Sequence, residues 1–213
     1  MNLMTSWAQK LTEMPLVAIL RGLPPEKAID VSAVLVEAGF KIIEVPLNSP
    51  EPFESISKIK KHFGDQIIVG AGTVLTGDNA RKVHDCGGEL IVAPNLDPEV
   101  AEVSRALGMI YCPGILTPTE AFLALKLGAT TIKLFPADAH PPSYIKAIRA
   151  VLPPETLIMP TGGIVPDNMA QYISVGANGL GLGSALYSPS KTLEEIASAA
   201  RSYVAAITPL IRG

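Results

Sequence analysis

The chain has 213 residues, with 17 Lys and Arg against 20 Asp and Glu, and its formal charge at pH 7 is -3. Because 48% of the residues are hydrophobic and the net charge is small, the composition excludes an intrinsically disordered chain. A pI near 5.6 without a basic run argues against a nucleic-acid partner. We find no linker or composition shift, so we expect one domain over residues 1–213.

The sequence contains two cysteines, Cys86 and Cys112, which are too few for a disulfide scaffold and predict reduced thiols in a cytoplasmic protein. Residues 1–15 carry charges and no long apolar stretch, so we expect no signal peptide. Residues 168–190 are free of charge, but their Asn, Gln, Pro and Gly residues indicate helix, strand and turn rather than a membrane span. The sequence therefore predicts no membrane partner.

Short apolar runs recur along the chain, about eight of them at intervals of roughly 20–26 residues. Each run is too short for a helix, and most are rich in Ile, Val and Leu, which is typical of strands buried on both faces. The predicted strands are 16–20, 42–47, 67–69, 90–92, 110–112, 131–135, 157–159 and 180–182.

Segments with helical spacing separate these runs, the first of them at residues 25–38. Asp97 and Thr117 each precede a proline and an early carboxylate, an order that predicts a helix start. Glycines that follow helical stretches predict their ends. These are Gly39, Gly87, Gly108, Gly128 and Gly176. Residues 1–14 predict an extra N-terminal helix, and residues 192–207 predict an amphipathic one.

Strand, helix and glycine alternate through the chain, and this order predicts an α/β fold of the (β/α)8 TIM-barrel type. The extra helix at residues 1–14 would then close the floor of the barrel. An open doubly wound sheet fits the same period, but it would need fewer strands or a second domain. In a TIM barrel the chemistry lies where the strands end, so polar residues there identify the candidate site.

Two charged residues interrupt apolar strands, Glu44 in the second strand and Lys133 in the sixth. Strands two and six face each other in an eight-stranded barrel, and a buried charge is costly unless it is paired or neutralised. One interpretation is a structural ion pair, or outward-facing residues covered by helices. The other is a nucleophilic lysine that forms a Schiff base beside a carboxylate that transfers protons.

Small residues follow the last two predicted strands, where TIM barrels commonly bind phosphate. Gly162 and Gly163 follow the seventh strand, and Gly183 and Ser184 follow the eighth. Glycine lets backbone N–H groups approach an anion, and the serine hydroxyl can donate a further hydrogen bond. The alternative is a pair of tight turns that bind nothing.

Four further polar residues follow the first three strands. Arg21 suits a small carboxylate, to which Thr73 can also donate, whereas Asn48 and Ser49 can reach substrate hydroxyls or phosphate. The alternatives are a surface salt bridge for Arg21 and ordinary turn residues for the others. The three histidines and two cysteines lack metal-ligand spacing, so we expect neither a metal nor another cofactor.

These segments resemble the class I aldolases of the 2-keto-3-deoxy-6-phosphogluconate and 2-keto-3-deoxy-6-phosphogalactonate family. The resemblance extends over nearly the whole chain, and several independent motifs carry it in the family's order. They are Ile-Leu-Arg-Gly at 19–22, Ile-Glu-Val-Pro-Leu-Asn-Ser at 43–49, Gly-Ala-Gly-Thr-Val-Leu at 70–75, Cys-Pro-Gly at 112–114, Lys-Leu-Phe-Pro-Ala at 133–137, Gly-Gly at 162–163 and Gly-Ser at 183–184.

The resemblance implies a lyase that cleaves a phosphorylated keto acid to pyruvate and glyceraldehyde 3-phosphate, in a homotrimer of TIM barrels. It implies that Lys133 is the Schiff-base lysine, that Glu44 is the general acid and base, and that Arg21 and Thr73 hold the pyruvyl carboxylate. The phosphate would lie on the glycine loops, namely Gly162, Gly163, Gly183 and Ser184.

The choice between the two epimeric substrates depends on three positions. Asn48 and Ser49 resemble the galactonate branch, whereas Thr161 resembles the gluconate branch. This mixed pattern favours galactonate and leaves dual activity open. Two other functions remain open for the same barrel, a phosphosugar isomerase or epimerase and a non-catalytic phosphosugar-binding protein, neither of which needs an amine at position 133.

Overall fold

The computed structural model describes residues 2–211 and has an α/β fold in which parallel strands form a curled sheet. The strands are β1 (Leu16–Ile19), β2 (Ile42–Pro46), β3 (Ile68–Gly72), β4 (Leu90–Val92), β5 (Ile110–Cys112), β6 (Gly114–Ile115), β7 (Ile132–Leu134), β8 (Ile158–Pro160) and β9 (Leu180–Leu182). The helices are α1 (Leu3–Glu13), α2 (Ala28–Ala38), α3 (Pro52–Phe63), α4 (Gly77–Asp85), α5 (Pro98–Ala106), α6 (Pro118–Lys126), α7 (Ser143–Arg149), α8 (Met169–Ser174) and α9 (Leu193–Ile211).

The strands form one six-stranded sheet in the order β5-β4-β3-β2-β1-β9 and one three-stranded sheet in the order β6-β7-β8. Pro113 alone separates β5 from β6 in the chain, and its carbonyl accepts a hydrogen bond from Lys133 N at 2.9 Å. An isolated parallel bridge between Thr161 and Gly181 links the end of β8 to β9. The two sheets are therefore neighbours at both of their edges.

Alternate strand residues pack on opposite faces, as the period of a β-strand requires. The side chains on one face pack under the helices, and among them are Ile43 and Val45 of β2. Those on the other face form a separate apolar cluster that we call the inner cluster. Its buried members are Trp7, Leu11, Val17, Ile42, Ile68, Leu90, Val92, Ile110, Cys112 and Met159.

Helix α1 packs where the strands begin. Its Trp7 and Leu11 side chains belong to the inner cluster, and Trp7 Nε1 donates a 3.0 Å hydrogen bond to Oγ1 of Thr131, just before β7. Lys10 Nζ donates to the carbonyl of Gln66, just before β3, at 3.1 Å. The predicted helix at 1–14 thus has its described part at Leu3–Glu13, while Met1 lies outside the described residues.

Local signals in the sequence agree with the observed helix ends. Asp97 caps α5 through the backbone N–H groups of Glu99 and Val100, and Thr117 forms a capping box with Glu120. The glycines predicted to end helices all have positive φ; at Gly39, for example, φ is 114°. The segment predicted as a single helix at 25–38 begins with a short 3-10 turn, Pro25–Lys27, before α2.

Within residues 2–211, no helix combines the length and the apolar character needed to span a bilayer. The uncharged segment 168–190 contains α8 and β9, as its turn-forming residues indicate. The predicted strand bounds agree with the structure to within a few residues. The largest difference is at β3, which extends to Gly72 where the apolar run alone predicts an end at residue 69.

Candidate active site

Glu44 lies in the middle of β2, paired with Ile19 of β1 and Gly70 of β3, and its side chain is 2% exposed. It points to the same side as Ile42 of the inner cluster, because residues two apart in a strand share a face. Burial raises the pKa of the Glu44 carboxyl, and the positive charges of Lys133 and Arg21 oppose this shift. The carboxyl therefore holds a proton at a higher pH than an exposed glutamate does.

Lys133 occupies the corresponding position in β7, where it pairs with Gly114 and Met159 and is 6% exposed. Its strand neighbours on either side pack under the helices, so the Lys133 side chain faces the inner cluster. Burial lowers the pKa of the Lys133 ammonium, and the Glu44 carboxylate opposes this shift. The lysine is thus more readily available as a neutral, nucleophilic amine than an exposed lysine.

These two side chains are close enough to affect each other's charge, but none of the salt bridges within residues 2–211 joins them. Glu44 Oε2 is buried and has no hydrogen-bond partner. An unpartnered buried carboxylate oxygen is costly, and a purely structural ion pair would satisfy it. Glu44 Oε2 is therefore free to form a hydrogen bond with a bound ligand.

Gly72 leaves the space that the Glu44 carboxyl occupies. A Cβ atom at this position would lie 2.7 Å from Glu44 Oε1 and 3.1 Å from Oε2. Real Cβ atoms do not approach other heavy atoms so closely, so glycine at position 72 and the Glu44 carboxyl are mutually adapted. Glycine at position 72 therefore has a steric role beside the carboxyl, whereas a Cβ at Gly70 would instead meet the backbone of Leu90 in β4.

A cleft of about 520 Å³ opens where the strands end. Six of the predicted residues line it, together with side chains that sequence reasoning did not select. The predicted ones are Arg21, Thr161, Gly162, Gly163, Gly183 and Ser184. Phe135 also lines the cleft, and its ring centroid lies 4.9 Å from Lys133 Nζ, so the amine is adjacent to the cleft.

The two glycine loops form one side of this cleft. Gly162 and Gly163 have φ values of 108° and 66°, a left-handed conformation that other residues rarely adopt. A Cβ at Gly183 would meet nothing within 4 Å, so the backbone there borders open space. Both loops therefore present accessible main chain to the cleft, which suits an anion bound by N–H groups.

Arg21, Asn48 and Ser49 come together on the neighbouring loops that follow β1 and β2, and of these three residues Arg21 lines the cleft. Arg21 is exposed, and its Nη1 donates a 2.6 Å hydrogen bond to Asn48 Oδ1. Ser49 is 8% exposed, and its hydroxyl accepts a hydrogen bond from Gly22 N at 2.9 Å. The sequence predicts that Asn48 and Ser49 can reach substrate hydroxyls or phosphate, and this stays a prediction. In the structure Asn48 binds Arg21, and Ser49 joins two loops.

Thr73 follows Gly72 directly at the end of β3 and has a φ of 56°. A β-branched residue in the left-handed region costs on the order of 1 kcal/mol, and such strain is concentrated at functional sites. Thr73 is not among the residues that line the cleft. The structure therefore places it at the same end of the sheet as the cleft, but outside the cleft lining.

Two buried hydroxyls at the cleft have no hydrogen-bond partner. Thr161 is 4% exposed with an unpartnered Oγ1, and Tyr187 is 3% exposed with an unpartnered hydroxyl. Both residues line the cleft. Thr161 was predicted because it precedes Gly162, whereas Tyr187 lies beyond the Gly-Ser motif, and no local pattern marked it. Within residues 2–211, no group of three or more His, Cys, Asp or Glu side chains is arranged to hold a metal.

Comparison with known sequences agrees with this geometry. The family model "KDPG and KHG aldolase" matches residues 8–200. The chain is 44% identical over 195 residues to the 2-dehydro-3-deoxy-6-phosphogalactonate aldolase of Escherichia coli K12, covering 92% of this chain and 95% of that protein. It is 30% identical over 168 residues to the 2-dehydro-3-deoxy-phosphogluconate aldolase of Treponema pallidum, covering 78% of this chain and 77% of that protein.

Comparison with solved structures points to the same group. A structure described as native KDPGal superposes with a TM-score of 0.92 and 42% sequence identity. The match covers 94% of this chain and 98% of that one. The similarity therefore extends over nearly all of both molecules.

Proposed function

This chain belongs to the KDPG and KHG aldolase family, and we propose that it cleaves a phosphorylated 2-keto-3-deoxy sugar acid by Schiff-base catalysis. The activity is that of a carbon–carbon lyase, which its relatives share. The observation that carries the proposal is the pair of buried charged groups beside the cleft, Lys133 and Glu44.

Lys133 begins the reaction as a neutral amine. Its Nζ attacks the C2 ketone, the resulting carbinolamine loses water, and a protonated imine forms. The imine accepts the electron pair of the C3–C4 bond when that bond breaks, so the reaction itself needs no metal. The lowered pKa of Lys133, which burial causes, supports this role because a charged ammonium has no lone pair for the attack.

Glu44 moves the protons. It donates one to the departing hydroxyl of the carbinolamine and, once ionised, takes the proton from the C4 hydroxyl as glyceraldehyde 3-phosphate leaves. The enamine of pyruvate is then protonated at C3, and water hydrolyses the imine to release pyruvate. Its raised pKa and its unpartnered Oε2 support this double role, since the carboxyl changes protonation state within one cycle.

We assign the two ends of the substrate to different residues of the cleft and of the strand ends beside it. We place the carboxylate of the pyruvyl half on Arg21 and Thr73. The phosphate lies on the two glycine loops, which contribute Gly162, Gly163, Gly183 and Ser184. That Arg21 and both glycine loops line the same cavity supports this arrangement.

We propose the galactonate epimer as the preferred substrate. The greater identity to the phosphogalactonate aldolase, 44% against 30% for a phosphogluconate aldolase, supports it. Asn48 and Ser49 favour the same epimer. Thr161 favours the gluconate epimer, and activity on both substrates follows if its unpartnered hydroxyl contacts the sugar.

We also propose that the chain forms one closed (β/α)8 barrel, with α1 at its floor. The bridge between Thr161 and Gly181 supports closure on one side, and the continuity of β5 and β6 through Pro113 supports it on the other. The contact of Trp7 with the inner cluster supports the position of α1. The same continuity supports a single domain, although Met1, Arg212 and Gly213 lie outside the described residues.

We further propose a homotrimer in the cytoplasm. Phe122 and Leu123 are large apolar side chains on α6 that are 47% and 42% exposed, and this supports an intermolecular contact. Cys86 and Cys112 are free thiols, which suits a reducing compartment. Sedimentation of the purified protein at micromolar concentration tests the trimer.

The first experiment is to trap the imine. Wild-type protein is incubated with pyruvate and borohydride, and the modified peptide is mapped by mass spectrometry. A single pyruvyl adduct at Lys133 supports the Schiff-base mechanism. A folded protein without any adduct would return the isomerase, epimerase and binding-protein alternatives to consideration, because none of them needs a covalent bond to the chain.

The matched variants are Lys133→Ala, Lys133→Arg and Lys126→Ala. Both changes at Lys133 remove the nucleophile, and we expect no adduct and a loss of turnover of at least about 10⁴-fold, as is typical when a covalent catalyst is removed. Lys126 is exposed near the end of α6, so its loss should leave the adduct and the rate unchanged. Turnover by Lys133→Arg close to that of wild type would exclude the mechanism.

A further inference from the structure

Two neighbouring loops hold Arg21, which we assign to the keto-acid carboxylate, and the residues that contact the Arg21 loop. The first follows β1 and holds Arg21 and Gly22; the second follows β2 and holds Asn48 and Ser49. The strands are joined by the hydrogen bond from Leu20 N to the carbonyl of residue 44 at 2.9 Å. The loops therefore begin side by side at the same edge of the cleft.

Ser49 fixes the second loop to the first. Its backbone N–H donates to the Pro46 carbonyl at 2.9 Å, which closes a turn after β2. Its buried hydroxyl then accepts from Gly22 N, also at 2.9 Å. Asn48 is thereby held in a turn that is itself tied to the loop that carries Arg21.

Asn48 uses this position to hold the guanidinium. Its Oδ1 accepts from Arg21 Nη1 at 2.6 Å, a short bond of the kind that a charged donor forms. An arginine side chain loses considerable rotamer freedom when it is held in one position, and Arg21 is exposed. A guanidinium has five N–H groups, so one bond to Asn48 leaves the others available to an anion.

We propose that Asn48 is a positioning residue that orients the Arg21 guanidinium toward the carboxylate of the keto acid, rather than a residue that contacts the sugar. The inference rests on the proposed function, because it needs a keto acid in the cleft. It assigns Asn48 a role at the pyruvyl end of the substrate, whereas the sequence alone led us to expect a role at the hydroxyl or phosphate groups.

The neutral amide suits this role better than a carboxylate would. Arg21 takes part in none of the salt bridges within residues 2–211, so no side-chain carboxylate within that range contacts its guanidinium. An aspartate at position 48 would hold the guanidinium at least as firmly, but it would compete with the substrate's carboxylate for the same charge. An alanine would release the guanidinium without neutralising it.

The test uses pyruvate as the probe, since pyruvate has the carboxylate but neither the sugar hydroxyls nor the phosphate. Borohydride trapping at increasing pyruvate concentration gives the half-saturating concentration for Asn48→Ala, Asn48→Asp and wild type. We expect an increase of roughly fivefold for Asn48→Ala, the scale of one net hydrogen bond, and of at least about tenfold for Asn48→Asp, whose carboxylate also competes with the substrate. With the full substrate, KM should rise in both variants while kcat stays near that of wild type.

A matched control separates the added charge from the contact. Gln66→Glu adds the same negative charge at an exposed position just before β3, at the opposite end of that strand from the cleft. Its pyruvate dependence should equal that of wild type. Because Asn48 is exposed, thermal unfolding of its variants should also match that of wild type, and a change in affinity then reports on the site.

The outcomes are distinct. If the half-saturating pyruvate concentration of both Asn48 variants equals that of wild type, the positioning role is wrong. A KM increase seen only with the phosphorylated substrate would then assign Asn48 to the sugar. If Asn48→Asp binds pyruvate as well as Asn48→Ala does, the argument from charge is wrong. If wild type forms no adduct at all, the proposed function fails first, and the failure is not attributed to Asn48.

Discussion

The two ends of the parallel strands differ in what they bury. At the amino ends, helix α1 adds Trp7 and Leu11 to an apolar cluster, and the indole N–H of Trp7 is bonded to Thr131. At the carboxyl ends, Glu44 and Thr161 have buried oxygens without a hydrogen-bond partner, and Lys133 lies with its amine beside the cleft. The same strands thus contribute to an apolar packed region and to a polar one with unmet hydrogen bonds.

This difference shows how one scaffold can supply both stability and reactivity. Apolar packing at the amino ends lowers the free energy of the folded state, and the bonded indole adds to it. Buried charges and unpartnered oxygens at the carboxyl ends raise that free energy and are expected to find their partners in a substrate. Substitutions at the two ends should therefore affect different measurements.

After the Lys133 variants, the largest effect is expected at Glu44. Glu44→Gln keeps the shape of the side chain but removes the proton-transfer group, so kcat should fall by roughly 10²–10⁴-fold while much of the pyruvate binding remains. Steady-state turnover measures the first quantity, and calorimetric binding of pyruvate without borohydride measures the second. A wild-type rate in this variant would remove Glu44 from the mechanism.

The same variant should also change the pH dependence of stability. Burial raises the folded-state pKa of Glu44 above its ordinary value of 4.5, so the folded protein binds the proton more tightly than the unfolded chain does. The contribution of Glu44 to stability is then fully present below about pH 4.5 and is lost as the pH rises through the folded pKa. Relative to wild type, Glu44→Gln should become more stable as the pH rises from 4.5 toward neutrality, as denaturant unfolding would measure.

The second effect is expected at the amino ends and concerns stability. Trp7→Phe removes the indole donor and leaves Thr131 Oγ1 buried without it, so the free energy of unfolding should fall by about 1–3 kcal/mol. The kcat of the folded variant should stay near that of wild type, because Trp7 lies on α1 where the strands begin and does not line the cleft. A fall in kcat with unchanged stability would reverse the proposed division between the two ends.

Thr131→Val supplies the control for this pair. A double-mutant cycle of Trp7→Phe with Thr131→Val isolates the energy of the bond itself, and we expect a coupling of about 1 kcal/mol. Additive effects in the cycle would mean that the 3.0 Å contact contributes little and that Trp7 stabilises the protein through its apolar area alone.

Much of the fold could be predicted because its signals are local. Asp97, Thr117 and the helix-ending glycines each mark a boundary through their own backbone, and the apolar runs mark strands buried on both faces. The division between β5 and β6 was missed, because Pro113 lies in an otherwise continuous segment and its effect on strand pairing depends on the neighbouring strands.

The site was predictable where a residue departs from its surroundings. Lys133 and Glu44 are charges within apolar strands, and their burial agrees with that signal, while their catalytic roles stay predictions. Tyr187 and the bond from Arg21 to Asn48 were not predictable, because a single tyrosine in a loop and a contact across 27 residues leave no periodic pattern. Such features depend on how the loops meet after the sheet has formed.

The smallest effect is expected at Thr161, and it compares the two ends within one strand. Thr161 follows β8 and Thr156 precedes it, and each has a buried Oγ1 without a hydrogen-bond partner. Valine at either position removes that oxygen at nearly constant volume, so each variant should be unchanged or more stable by up to about 1 kcal/mol. Only Thr161 lines the cleft, so only Thr161→Val should shift the ratio of kcat/KM between the epimers, by about 5- to 10-fold toward the galactonate substrate. Equal shifts in both variants would show that the hydroxyl at the carboxyl end acts through the fold and not on the sugar.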